Sequence, residues 1–298
     1  MNSKVQSLKD FLAGQGRIAL VEVAGTRGST PREKGAFMLV SQAAIFGTIG
    51  GGQLEYMAID KARQMLFSSP RGRDSRIEVG EVCATLDVPL GPEIGQCCGG
   101  RVEVLIRLVD AARAADLIAA AEAEEAHLPH VYIFGGGHVG QALASTIALL
   151  PVHGVVIETR AEALEGMPET IETRLTPMPE AELRNAPAGS AFAILTHDHA
   201  LDFLIVAEAL KRGDTAYVGM IGSKTKKATF RNWFLKSADG SEVEFARLVS
   251  PIGGDGVKDK RPQVIAALAA AEIMTALVAH TAASNADLQA PCDKVTAG

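Results

Sequence analysis

Cysteine is scarce. Four residues in 298 (Cys83, Cys97, Cys98 and Cys292) cannot supply the disulfide framework of a small secreted domain. No CxxC pair occurs, which excludes a zinc ribbon and a thioredoxin-type site. An excess of basic charge is lacking too. The chain has 29 Lys and Arg against 35 Asp and Glu, a formal net charge of -6. Nucleic acid and an anionic membrane surface are therefore poor partners, while a local basic pocket for one anion stays open. Residues 1–14 carry Lys4, Lys9 and Asp10 and lack the apolar core of a secretory signal. The most apolar stretch, 264–279, is rich in Ala and interrupted by Glu272. It reads as a buried helix, too short and too polar to span a bilayer. These absences point to the cytoplasm.

Apolar residues make up 47% of the chain and charged residues 21%, ordinary globular usage. At about 150 residues per domain, the length suggests two domains. The first, residues 1–112, reads as an α+β unit. Strand-like runs at 17–24, 35–41, 44–48 and 101–109 are broken by Gly- and Pro-rich turns. Leu54, Met57, Ala58, Ala62, Met65 and Leu66 recur at helical spacing after Gly50-Gly51-Gly52. Residues 113–129 are assigned to a helical linker that breaks at Pro129. From 130 to 298 the rhythm changes. Apolar runs at 131–134, 154–158, 191–195 and 216–220, joined by weaker ones at 171–175 and 246–250, alternate with segments of helical potential. That pattern predicts a Rossmann-like doubly wound parallel sheet covered on both faces, closed by a long helix starting at Pro262.

The second half holds the clearest motif. The strand 131–134 runs straight into Gly135-Gly-Gly137-His138-Val-Gly140 and then a helix. Gly135 allows the tight turn, Gly137 the approach of a ligand to the backbone, and Gly140 close helix–strand packing. Glu158 ends the next strand, where a ribose-binding acid would sit. The alternative is that these glycines serve packing alone. Thr196-His197-Asp198-His199 and Gly222-Ser223-Lys224 follow two further strands, so they should border the same crevice. Ser223 can cap its helix. Lys224, Lys226, Lys227 and Arg231 cluster behind it, either to bind an anion or as a solvated basic face. His197-x-His199 followed by Asp202 departs from the HxHxDH motif of metallo-β-lactamases at Leu201, so no metal is expected.

In the first half three clusters stand out. Gly28-Ser29-Thr30-Pro31-Arg32 is a turn bearing hydroxyls and a guanidinium. Gly50-Gly51-Gly52 with Glu55 forms a glycine nest opening a helix, suited to an anion. Cys97-Cys98-Gly99-Gly100 sets paired thiols beside glycines. A lone Cys is usually an inert small hydrophobe, but two adjacent ones in a glycine turn suit a soft metal centre, sulfur transfer or redox chemistry.

Together these strings resemble the XdhC/CoxI family of xanthine dehydrogenase accessory proteins. They are GSTPREKGAFMLV (28–40), GTIGGGQLE (47–55), GQCCGG (95–100), IFGGGHVGQALA (133–144), LTHDHALD (195–202), YVGMIGSKTKKATF (217–230) and SPIGGDGVKDKRPQVIAALAAAE (250–272), in the family's order. The resemblance implies a cofactor chaperone, not an enzyme. Such a protein binds the molybdenum cofactor (molybdopterin), holds it during sulfuration and delivers it to the molybdenum subunit of apo xanthine dehydrogenase. A cysteine desulfurase would be a second partner, and a homodimer is compatible with it. The glycine nests and the Lys224 cluster would take the pterin phosphate near the cleft between domains. Cys98, the family's recurring position before Gly-Gly, would face the molybdenum or carry sulfur. The rival reading from the residues alone is an NAD(P)-dependent oxidoreductase. A third is a thiol-redox sensor built on Cys97 and Cys98.

Overall fold

The computed structural model describes residues 4–67, 83–91, 99–254 and 256–289, and it divides into two compact units, Asn2–Glu124 and Glu125–Gly298. The first unit contains α1 (Lys4–Gly14), β1 (Ala19–Arg27), β2 (Phe37–Val40), β3 (Ile45–Gly47), α2 (Gly52–Phe67), β4 (Cys83–Pro89), β5 (Arg101–Leu108) and α3 (Ala111–Ala126). Its strands pair antiparallel in the order β3-β2-β1-β5-β4. The helical spacing read from the sequence becomes packing here. Leu54, Ala58, Ala62 and Leu66 form one stripe of α2 and meet Val21, Val104 and Ile106 of the sheet. Each fully buried Leu of that stripe contributes about 1.5–3 kcal/mol. On the opposite face Leu8 and Phe11 of α1 and Leu117 and Ile118 of α3 close over Leu20 and Leu39. The helix assigned to a linker is thus packed on this sheet. Strand β4 has no counterpart in the sequence reading. It is an edge strand whose residues are mostly exposed, so it carries little apolar signal.

The second unit runs β6 (His130–Phe134), α4 (His138–Ile147), β7 (His153–Glu158), β8 (Glu172–Leu175), α5 (Pro179–Glu182), β9 (Ala191–Ile194), α6 (His199–Lys211), β10 (Tyr217–Met220), α7 (Lys224–Ser237), α8 (Glu242–Phe245), β11 (Leu248–Val249) and α9 (Pro262–Gln289). All neighbouring strands are parallel, in the order β11-β10-β9-β6-β7-β8. The order reverses between β6 and β9, which marks the doubly wound Rossmann arrangement and its switch point. Both faces are covered, which is why the central strands read as unbroken apolar runs. On one face lie Leu143, Ala144 and Ile147 of α4 with Ala266, Ala269 and Ile273 of α9. On the other lie Ile205, Val206 and Leu210 of α6 with Phe230 and Phe234 of α7.

Helix α9 corrects one expectation. Pro262–Ser284, with a mean hydropathy of 1.7, is long and apolar enough by length and composition to cross a membrane. The stretch 264–279, interrupted by Glu272, reads as too short and too polar. In the fold Glu272 accepts hydrogen bonds from the Tyr217 hydroxyl (2.7 Å) and the Gly253 N–H (2.8 Å). The helix packs one stripe on the sheet, and the charge within it is satisfied internally.

Candidate functional site

The crevice lies outside the carboxyl ends of β6 and β9, and backbone contact joins its walls. A Cβ at Gly135 would lie 2.5 Å from the Leu195 carbonyl oxygen and 3.0 Å from the Thr196 Cα. The glycine turn therefore rests directly on the start of the Thr196 loop. Gly135 also has a positive φ of 112°, a conformation glycine alone takes cheaply. A Cβ at Gly140 would stand 1.9 Å from the Gly135 carbonyl oxygen, so its role is the close helix–strand approach. Gly137 differs. Nothing lies within 4 Å of a Cβ built there, and it is exposed at the N-terminus of α4 beside exposed His138. This is the open part of the loop.

Several residues assigned to ligand binding are engaged by the chain itself instead. Glu158 is buried, and its carboxylate accepts from the Gly136 N–H (2.9 Å), the Thr159 N–H (2.7 Å) and the Arg160 guanidinium (3.1 Å from Nη2). It does not stand ready for a ribose. The geometry shows it bracing the glycine loop, because a buried carboxylate must find donors nearby. Asp198 caps α6 by accepting from the Ala200 N–H (2.7 Å), and Ser223 caps α7 by accepting from the Lys226 N–H (3.3 Å). Lys226, placed in the basic cluster, is buried. Its ammonium pairs with the carboxylate of Asp202, itself fully buried. The other Asp202 oxygen accepts from the Thr196 N–H (3.0 Å) and hydroxyl (2.6 Å). Thr196, Asp202 and Lys226 thus tie the loop after β9 to α7, and this network was missed. Asp202 and Lys226, three and two positions beyond the named motifs, carry it, and nothing in their spacing says that they meet. Lys227 donates to the Leu248 carbonyl and Arg231 pairs with Glu242, so neither is given over to an anion. His197 and Lys224 are exposed at the edge of the crevice.

The three clusters of the first unit converge. A Cβ at Gly50 would lie 2.7 Å from the Pro31 ring, and one at Gly100 would lie 2.1 Å from the Ser29 carbonyl oxygen. Ser29, Arg32, Gly50, Gly51, Gly52, Gly99 and Gly100 are therefore neighbours, although up to about 70 residues separate them in sequence. The nest itself is already filled. Glu55 accepts from the N–H groups of Ile49 (3.1 Å) and Gly51 (3.0 Å) and from the Thr48 hydroxyl. A carboxylate of the chain stands where the sequence suggested a bound anion. Cys97 and Cys98 lie outside the described residues, as does Cys292; Cys83 is an exposed free thiol on β4. Among the described residues no three His, Cys, Asp or Glu side chains are grouped to hold a metal ion.

Away from the crevice, a cavity of about 430 Å³ opens at the amino ends of β6 and β9, lined by His127, His130, Leu277 and His280 among others. Burial, then the neighbouring His153, holds the His130 imidazole below its usual range.

The carboxylates are tuned by their donors. Burial alone would push Glu158 up, but Arg160 and the N–H groups of Gly136 and Thr159 outweigh it and hold its pKa at about 2. Glu55 is likewise held below the carboxylate range: its burial is outweighed by the Thr48 hydroxyl and the Gly51 and Ile49 N–H groups. A carboxyl lowered by folding adds stability that is complete above its ordinary value of 4.5 and fades as the pH falls towards 2. The wild-type chain is therefore expected to lose stability across that window more steeply than Glu158→Gln. Urea midpoints measured from pH 6 to pH 2.5 check this, and parallel curves for the two proteins would contradict it.

A doubly wound unit with a glycine-loop crevice, paired with an antiparallel unit bearing its own glycine cluster, defines a two-domain protein of the Rossmann class. Residues 131–273 match the model of the XdhC Rossmann domain, and residues 11–76 match that of the XdhC and CoxI family. The chain belongs to the XdhC and CoxI family. It is 27% identical over 266 residues to YqeB of Escherichia coli (strain K12), described as an uncharacterized protein. That match takes in 86% of this chain and only 43% of YqeB, so the chain spans less than half of this relative's length. The fold is shared with a Bacillus halodurans protein described as a xanthine dehydrogenase, at a TM-score of 0.73 and 16% identity, over 93% of this chain and 96% of that one.

Proposed function

We propose that this chain serves the maturation of a xanthine dehydrogenase by holding the molybdenum cofactor as cargo during sulfuration and delivering it to the apoenzyme. Membership of the family suggests the maturation role. The observation that supports a cargo site is that the 28–32 turn touches both glycine clusters, Gly100 through Ser29 and Gly50 through Pro31 and Arg32, with Gly99-Gly100 following the Cys97-Cys98 pair in sequence. A thiolate is a soft ligand suited to molybdenum or to carrying sulfur, and glycines admit a bulky group. Cys98 is the thiol assigned to the metal, with a cysteine desulfurase as sulfur source. The chain then acts by binding and positioning, not by turnover of its own.

The test is to purify the protein from a host that makes the cofactor, oxidise the released ligand, and record pterin fluorescence with molybdenum content. Near-stoichiometric pterin and metal are expected, with Cys98→Ala losing most of both while its urea midpoint stays unchanged. Absence of pterin from the wild-type protein would refute the reading.

A further inference from the structure

In a doubly wound sheet a dinucleotide lays its pyrophosphate on the first helix and its ribose diol on the acid ending the second strand. A diol donates hydrogen bonds, so that acid must offer free lone pairs, and a carboxylate has about four. Glu158 has none to spare. Its Oε2 accepts from Gly136 N (2.9 Å) and Arg160 Nη2 (3.1 Å). Its Oε1 accepts from Thr159 N (2.7 Å), Thr159 Oγ1 (3.1 Å), Arg160 N (3.2 Å) and Arg160 Nε (3.4 Å). The Glu158 side chain is 3% exposed and that of Arg160 is 39% exposed, so the guanidinium lies on the outer side of the pair. Nη1 of Arg160 donates to no acceptor among the described residues. The chemistry at the end of β7 is thus inverted: acceptors are used up and donors face outward.

We propose that Arg160 is a specificity-determining residue of the crevice, turning away a free ribose diol and receiving a phosphate monoester. Glu158 is then a positioning residue, which holds the Gly136 N–H and the guanidinium in place. The inference goes beyond the cargo reading and concerns the second unit alone. A phosphate monoester of this kind is carried both by a 2′-phosphorylated dinucleotide and by the pterin cargo.

Binding of NADH and NADPH, followed by nicotinamide fluorescence, separates these cases. Arg160→Ala should free a lone pair on Glu158 Oε2, which then keeps only the Gly136 N–H, and raise NADH affinity at least tenfold over wild type. Adding Glu158→Gln should abolish that gain, which a merely structural role for the pair would not do. Arg160→Met, which keeps the aliphatic stem, serves if the alanine variant folds poorly. Equal NADH binding by wild type and both Arg160 variants, including no binding by any, would overturn the exclusion of the diol. Wild-type preference for NADPH that Arg160→Ala removes identifies a dinucleotide as the source of the phosphate. Lower co-purified pterin in Arg160→Ala, without NADPH binding, identifies the pterin. If Arg160→Ala leaves both NADPH binding and pterin content unchanged, Arg160 receives no phosphate.

Discussion

Lys226→Met is expected to destabilise the second unit by about 3–5 kcal/mol, because it strands the carboxylate of Asp202 without its cation. Asp202 is wholly buried and Lys226 nearly so, which leaves no solvent to screen the loss. Removing both charges should cost much less. The choice of partner matters, however. Asp202→Leu with Lys226→Met leaves the half-buried Thr196 N–H without its acceptor, at about 1–3 kcal/mol for an unsatisfied donor, while the hydroxyl keeps the Asp198 carbonyl. Asp202→Asn with Lys226→Met keeps that acceptor, so it should be the most stable of the charge-removing variants. Urea denaturation followed by the fluorescence of Trp233, the chain's one tryptophan, gives the whole cycle. If Lys226→Met matched the wild type, the ion pair would not be holding the crevice loops together.

Gly140→Ala is expected to be nearly as costly, at about 3 kcal/mol. The added methyl would sit 1.9 Å from the Gly135 carbonyl oxygen, a backbone atom of a tight turn with no rotamer to change. Nor can α4 back away, since Leu143, Ala144 and Ile147 beneath it are completely buried. Gly137→Ala, three residues earlier in the same motif, is the control. Its Cβ meets open space and its φ of -68° suits any residue, so no more than about 1 kcal/mol is expected for replacing a glycine cap. Urea midpoints for the two variants decide the matter. Equal losses would mean that the motif's glycines are not divided between packing and access.

Much of this architecture is legible in the amino-acid sequence. The runs 131–134, 191–195 and 216–220 are apolar throughout because both faces of their strands are covered, and local composition records that directly. The glycine turn is legible for a similar reason, since it joins a strand to a helix within ten residues. The caps Asp198 and Ser223 act on amides two or three residues away, so the helix starts can be placed. Edge strand β4, with one face open to solvent, writes no such pattern.

The roles of the charged residues are a different matter. Lys226 reads as one of four cations on a helix, yet its partner is 24 residues away on α6. Glu55 and Glu158 read as ligand groups, yet each is spent on amides of the glycine loop beside it. By itself the sequence determined the covered strands, the tight turns and the helix starts, all of which follow from contacts between near neighbours. Only the tertiary structure decided which donors and acceptors face a ligand. A buried charge must be satisfied by whatever the fold brings to it, and that partner is set by the path of the chain through space, not by its spacing along it.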